Sequence, residues 1–315
     1  MTTTRAFAVA LPRLLLVLGL AACTSSGGSP AAYQPKDPGE SQALQLVKAA
    51  DLLGLRDAEV PSGATAPGGR STLPMAALYG GLNTLRPPPG FSRGAAGAIG
   101  FATMFFSGPA PEEISRTSKI LVWMPRAEAE TAEDAWRKID DLMQRELGAV
   151  LAGTLLAPGY RLEKESKPVT SYRPGSTLAP TPYRSDEVTW RVRGGECDDP
   201  KVQCRYRITV PVPPVERTAP AVLGGYPAWS FVRTQGMAGV ASSFVDRRGG
   251  HVAPRPVFPD LEVLRKLSAR LPGWAAIYVA PHTASYLDEE TGKPALLPYP
   301  VVLRAGEPLY FVRGG

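Results

Sequence analysis

Gly90-Phe91-Ser92-Arg93-Gly94 has the G-x-S-x-G spacing of a nucleophile elbow, in which a serine stands on a tight turn between a buried strand and a helix. Such a serine needs a histidine as base and a carboxylate to orient it. Asp246 with His251 or His282 supplies both in the chain order Ser, Asp, His. The context opposes this reading. Pro87-Pro88-Pro89 stands where the elbow strand should run, and proline cannot donate to the ladder of a central strand. His251 and His282 lie in Pro/Gly-flanked stretches without a second His, Cys or carboxylate at ligand spacing, so no metal site is expected there. Asp288-Glu289-Glu290 lacks the alternating acidic ligands of a calcium loop and reads as a solvated turn. No Gly-rich phosphate loop and no dinucleotide fingerprint is present, so no cofactor is expected.

The strongest surface chemistry is cationic. Val188, Trp190 and Val192 alternate with Arg191 and Arg193, and Cys204, Tyr206 and Ile208 alternate with Arg205 and Arg207. If the apolar set points inward, Arg191, Arg193, Arg205 and Arg207 share one outward face. Like charges facing each other across a strand pair are destabilising. Either acidic neighbours from elsewhere or a bound anion must offset them, and the guanidinium fork suits bidentate contact with phosphate or carboxylate. The expectation is an anion-binding or partner-binding face for a lipid phosphate, a lipopolysaccharide or an acidic protein.

The elements that must hold this face can be read from periodicity. Leu44, Val47, Ala50 and Leu53 have helical spacing before Gly54. Ile120-Leu121-Val122-Trp123 is a short buried strand ended by Pro125. Thr131 opens a helix with Asp134 as its capping-box partner, and Trp136, Ile139, Leu142, Met143, Leu147 and Val150 form its apolar stripe. The two arginine-bearing runs form a hairpin around the loop between Cys197 and Cys204, and Trp229-Ser230-Phe231-Val232 is a further strand. Asp260 caps a helix with Leu261, Leu264, Leu267 and Leu271 inward, stopped by Pro272-Gly273. Ala275 to Val279 is a strand, and Pro300 to Leu303 with Leu309 to Val312 makes a last hairpin. The order β-α-β-β-β-α-β-β-β, preceded by a helical N-terminal segment, predicts an α+β fold with a largely antiparallel sheet and helices packed on one face. Residues 94–106 are uncharged and apolar but too short to span a bilayer, so they are expected either in the core or against a membrane or partner.

The N-terminus carries a signal of a different kind. Arg5 and Arg13 are its only charges, Leu14 to Leu20 is a compact apolar core, and Leu20-Ala21-Ala22-Cys23 follows. This stretch resembles the leader and lipobox of bacterial lipoprotein precursors. The resemblance implies that residues 1–22 are a cleaved signal peptide and that Cys23 carries the lipid. By the same resemblance Thr24, which is not Asp, favours the outer membrane with the domain in the periplasm. The Ser/Gly/Pro-rich residues 23–39 would be a flexible tether, 40–115 a helical and loop segment, and 116–315 the α+β domain. Export then gives the other two cysteines, Cys197 and Cys204, an oxidising compartment, where an even pair reads as a disulfide.

The chain's 35 Lys and Arg against 29 Asp and Glu give +6, and without Arg5 and Arg13 the balance is +4. That is mildly basic, with no basic run or reading helix, so no nucleic-acid partner is expected. The first functional expectation is a non-enzymatic accessory module, anchored to the membrane through Cys23 and working with an envelope protein partner. A subunit of an envelope or secretion assembly fits, as does an immunity lipoprotein. The alternative is a serine hydrolase acting on an envelope substrate through Ser92 and a histidine.

Overall fold

The computed structural model describes residues 33–35, 37–58, 105, 117–155, 159–172, 182–200, 202–210, 213–231, 239–246, 260–287, 294–297 and 299–313. Its helices are α1 (Gln42–Ala49), α2 (Ala132–Leu155) and α3 (Asp260–Arg270). The strands are β1 (Lys119–Pro125), β2 (Arg161–Tyr172), β3 (Pro182–Arg193), β4 (Val202–Thr209), β5 (Val215–Thr218), β6 (Pro227–Ser230) and β7 (Gly239–Asp246). They continue as β8 (Ala275–Val279), β9 (Ser285–Leu287), β10 (Pro294–Leu296), β11 (Val301–Arg304) and β12 (Glu307–Tyr310).

Ten strands form one sheet in the order β12-β11-β8-β1-β7-β4-β3-β2, with β6 also beside β1 and β5 beside β6. Every pairing between these strands is antiparallel. The α+β class, the antiparallel sheet and the expected order of elements are all present. Five strands interleave with that order: β2, β5, β7, β9 and β10. The polar sequences of β2 and β5 hide them from an alternation search, and β9 and β10 are only three residues each.

Local chemistry sets the helix ends. At α2 the Thr131 hydroxyl accepts from the Asp134 N–H at 3.1 Å, and the Asp134 carboxylate accepts in return from the Glu130 N–H at 3.3 Å. This is the expected capping box, reaching one residue further back than the N-cap. At α1 the Ser41 hydroxyl accepts from the Leu44 N–H. That helix stops before the glycine that was expected to end it. Asp51 takes a left-handed φ of 59°, and the N–H groups of Leu52 and Asp51 reach back to the carbonyls of Val47 and Lys48. These two hydrogen bonds close the helix as a Schellman motif, and Leu53, expected on the apolar stripe, is left 59% exposed.

The two faces of the sheet are covered differently. Helices α2 and α3 pack on the face that carries Ile208, Tyr206 and Trp190. A Cβ added at Gly148 of α2 would collide with the Trp190 ring, so only glycine lets helix and strand approach there. Glu146 of α2 accepts from Arg270 of α3 at 2.6 Å, tying the two helices together. The register puts Leu121, Tyr278 and Val302 on the opposite face, and all three are fully buried. Helix α1 lies across that face, touching β12 at one side and the turn 221–223 at the other. It contributes Ala43, Leu46 and Val47 to the core, and Phe105 joins them at 0% exposure. Phe105 is the described residue of the apolar run 94–106, and it belongs to the core. The strip 55–58 runs alongside the last residues of the chain, with the Ala58 N–H donating to the Phe311 carbonyl at 2.8 Å.

The beginning of the described chain is held to this body. The Tyr33 hydroxyl donates to Glu40 at 2.6 Å, and Arg313 pairs with Asp37 at 2.8 Å. Tyr33 and Asp37 come from the stretch expected as tether, so its last residues lie against the domain.

Candidate functional site

Strands β2, β3 and β4 build the arginine face. β3 and β4 pair with Arg191 opposite Arg205 and Thr189 opposite Arg207, so these arginines stand on one side of the sheet. The loop between the two strands is closed by the Cys197–Cys204 disulfide, with 5.7 Å between the Cα atoms. The Cys197 N–H donates to the Gly194 carbonyl at 3.0 Å and the Gly194 N–H to the Asp198 carboxylate at 2.9 Å. Gly194 has a φ of 117° and lies against the Gly159 carbonyl where a side chain would clash, so its position demands glycine. Behind the hairpin Val188, Val192, Tyr206 and Ile208 are all buried. That inward set is what obliges Arg191, Arg193, Arg205 and Arg207 to face the other way.

The acidic neighbours come from β2. Its register sets Glu163 opposite Arg191, Arg161 opposite Arg193 and Glu165 opposite Thr189. Arg193 Nε donates to Glu163 at 3.0 Å, and Arg161 lies 3.6 Å from the same carboxylate. Arg191 Nε is 2.9 Å from Glu165, an ion pair whose N–H is not aligned as a hydrogen bond. The hydrogen bond from Arg193 holds the Glu163 carboxyl below its usual range, and Glu163 in turn raises Arg193. The like charges on β3 are thus offset by β2. On the other side of β4, β7 sets Ser243 opposite Arg205 and Ala241 opposite Arg207. Arg205 has no ion-pair partner among the described residues. Five arginines (161, 191, 193, 205 and 207) share this patch with Glu163 and Glu165, and Asp198 also acts on Arg193, which leaves an excess of two positive charges among these residues. Arg191 and Arg193 keep about a third of their side-chain surface in solvent, 33% and 31%.

Sequence reading found the arginines and missed their counterions. The alternation Arg161, Glu163, Glu165 was the available signal, but period two has meaning only once the segment is known to be a strand. β2 buries little behind it: Leu162 packs against the core, while Lys164 sits over the Trp190 ring at 5.6 Å.

A second polar cluster lies inside the fold. Tyr206 of β4 donates its hydroxyl to Asp260 at 3.0 Å, and Ser285 of β9 donates to the other carboxylate oxygen at 2.9 Å. Asp260, expected as the cap of α3, is the first residue of the helix, with its carboxylate turned into this cluster. All three residues are 3% exposed or less. The cluster ties α3 to β4 and β9.

The hydrolase residues are not brought together among the described residues. Ser92 and His251 lie outside them, as does Cys23, and Asp246 is described only as the last residue of the β7 backbone. His282 is exposed on the turn after β8, with a left-handed φ of 57° and its backbone N–H donating to the Leu297 carbonyl at 2.7 Å. Among the described residues no group of His, Cys, Asp and Glu is arranged to hold a metal ion, and no helix is long and apolar enough to cross a membrane. No protein-family model matches this chain, and neither a curated protein nor a solved structure matches it.

Proposed function

We propose that this chain is an outer-membrane lipoprotein, acylated at Cys23, whose α+β domain is a non-enzymatic contact module on the periplasmic side of the envelope. The observation that carries the reading is the run Leu20-Ala21-Ala22-Cys23 behind an apolar leader whose only charges are Arg5 and Arg13. Two or more acyl chains make such anchoring durable. Support for a contact role comes from the division of the sheet. One half is buried on both faces, while β2, β3 and β4 turn a charged face outward. The disulfide fits an oxidising compartment and fixes the hairpin that carries the face.

The test is metabolic labelling with an alkyne fatty acid in cells expressing the chain or its Cys23→Ser variant, followed by envelope fractionation and in-cell crosslinking. The expected result is a label and an outer-membrane position that both vanish in Cys23→Ser, with an envelope component crosslinked only to the anchored form. An unlabelled chain that fractionates away from membranes would remove the proposal.

A further inference from the structure

We infer that the arginine face of β2, β3 and β4 docks on the anionic phosphate headgroups of the bilayer that holds the anchor. The inference deepens the proposed function and rests on its acylated Cys23. The first argument is charge. Among the named residues of the patch, Asp198 included, positive charge exceeds negative by two, and Arg205 of β4 has no ion-pair partner among the described residues. Guanidinium is well matched to phosphate oxygens, and the strand register puts several of them on one face.

The second argument is reach. Tyr33, the first described residue, is ten residues beyond Cys23 and is held to Glu40 at the start of α1. Ten residues span at most about 35 Å when fully extended. The domain therefore never leaves the neighbourhood of the bilayer, and a weak headgroup contact acts at high effective concentration.

The third argument is side. α1 lies over the face of the sheet opposite α2 and α3, and the continuous register β1-β7-β4-β3 puts the arginines on that same face. Anchor entry and cationic patch thus look the same way. The domain can rest on the surface with α2 and α3 turned outward.

The experiment uses the processed chain from residue 23 with Cys23→Ser, so that no acyl chain contributes. Its co-sedimentation is measured with vesicles of phosphatidylcholine alone and with 40% phosphatidylglycerol, at low and at high salt. The expected result is binding to the phosphatidylglycerol vesicles that high salt removes. It should weaken about fivefold in Arg205→Gln and about 25-fold in Arg205→Glu, following the usual contribution per cationic residue at an anionic surface. Arg205→Lys should retain most of the binding, because charge rather than fork geometry dominates at a fluid headgroup layer. Melting curves of the variants check that each is folded.

Equal binding to both vesicle types, or binding that ignores Arg205→Glu, overturns the inference. So does a face that crosslinks instead to an acidic protein through Arg205. That last outcome leaves the anchored contact module standing. Absence of acylation at Cys23 in the labelling experiment strikes the module itself, whatever the vesicles show.

Discussion

The two halves of this sheet solve opposite problems. In β1, β8 and β11 both faces are buried: Leu121 and Ile120, Tyr278 and Ile277, and Val302 and Leu303 point to opposite sides and are all fully buried. In β3 and β4 burial alternates, with Val188, Val192, Tyr206 and Ile208 inside and four arginines outside. The enclosed half has α2 and α3 on one face and α1 with Phe105 on the other, so its sequence is a continuous apolar run. Among the described residues the open half has helices on one face, so its sequence alternates and its outer positions carry charge. Cover, rather than strand sequence in isolation, decides where stability is concentrated and where a surface for contact remains.

Substitutions matched across the two halves should separate these roles. Trp123 in β1 is 1% exposed, and Trp123→Ala should lower unfolding free energy by about 3–5 kcal/mol. Arg205→Gln should change it by less than about 0.5 kcal/mol while weakening headgroup binding. Urea titration of both variants checks the contrast. A large stability loss at Arg205 would mean that the outer face is part of the folding machinery.

Removing the disulfide tests how the open half is held. Cys197→Ser with Cys204→Ser lifts the constraint on a short loop and should cost about 2–3 kcal/mol, measured against the oxidised wild type. Exchange of β3 and β4 amides should accelerate more than exchange of β8. At the junction of the halves, Gly148→Ala forces a methyl group into the Trp190 ring and should cost about 1–3 kcal/mol through displacement of that ring. Near-ultraviolet circular dichroism would report the displaced indole.

The smallest effects are in the carboxylates, and the two regions differ in sign. Burial pushes Asp57, beside α1, above its ordinary value, although hydrogen bonds from the Ser41 hydroxyl and N–H pull it down. Folding therefore favours its protonated form. Its contribution to stability is present below the ordinary aspartate value and is lost as pH rises through the raised one. On the open face Arg193 holds Glu163 down, so that contribution is present above the ordinary glutamate value and is lost as pH falls through the lowered one. Carboxyl NMR titration should find the Asp57 midpoint high and the Glu163 midpoint low. Ser41→Ala should move the first further up, and Arg193→Gln should move the second back up.

Periodicity exposed the elements whose burial is regular. The apolar stripe of α2, the run in β1 and the alternation in β3 and β4 all reported their environment, because one kind of cover extends along each of them. β2 was illegible because it is the sheet's edge strand among the described residues. It carries charge on its outer side and Lys164 and Leu162 on its inner side, so no alternation of apolar and polar residues marks it. For the same reason the arginine face could be drawn from sequence while its counterions Glu163 and Glu165 could not. The stop of α1 at Asp51 was hidden by Gly54, three residues on, which has a positive φ of its own but follows a helix already closed by backbone hydrogen bonds. The turn of Asp260 away from its cap position depends on Tyr206 and Ser285, which are distant in sequence and meet it only in the folded chain.

The most direct test of the division is amide hydrogen exchange of the processed chain, alone and on phosphatidylglycerol vesicles. The account predicts that in solution the amides of β1 and β8 exchange only through global unfolding, while those of β2 and β3 exchange through cheaper local openings. On the vesicles, new protection should be confined to β2, β3 and β4. Uniform protection across the sheet in solution, or vesicle-induced protection appearing at α2 and α3 instead, would contradict it.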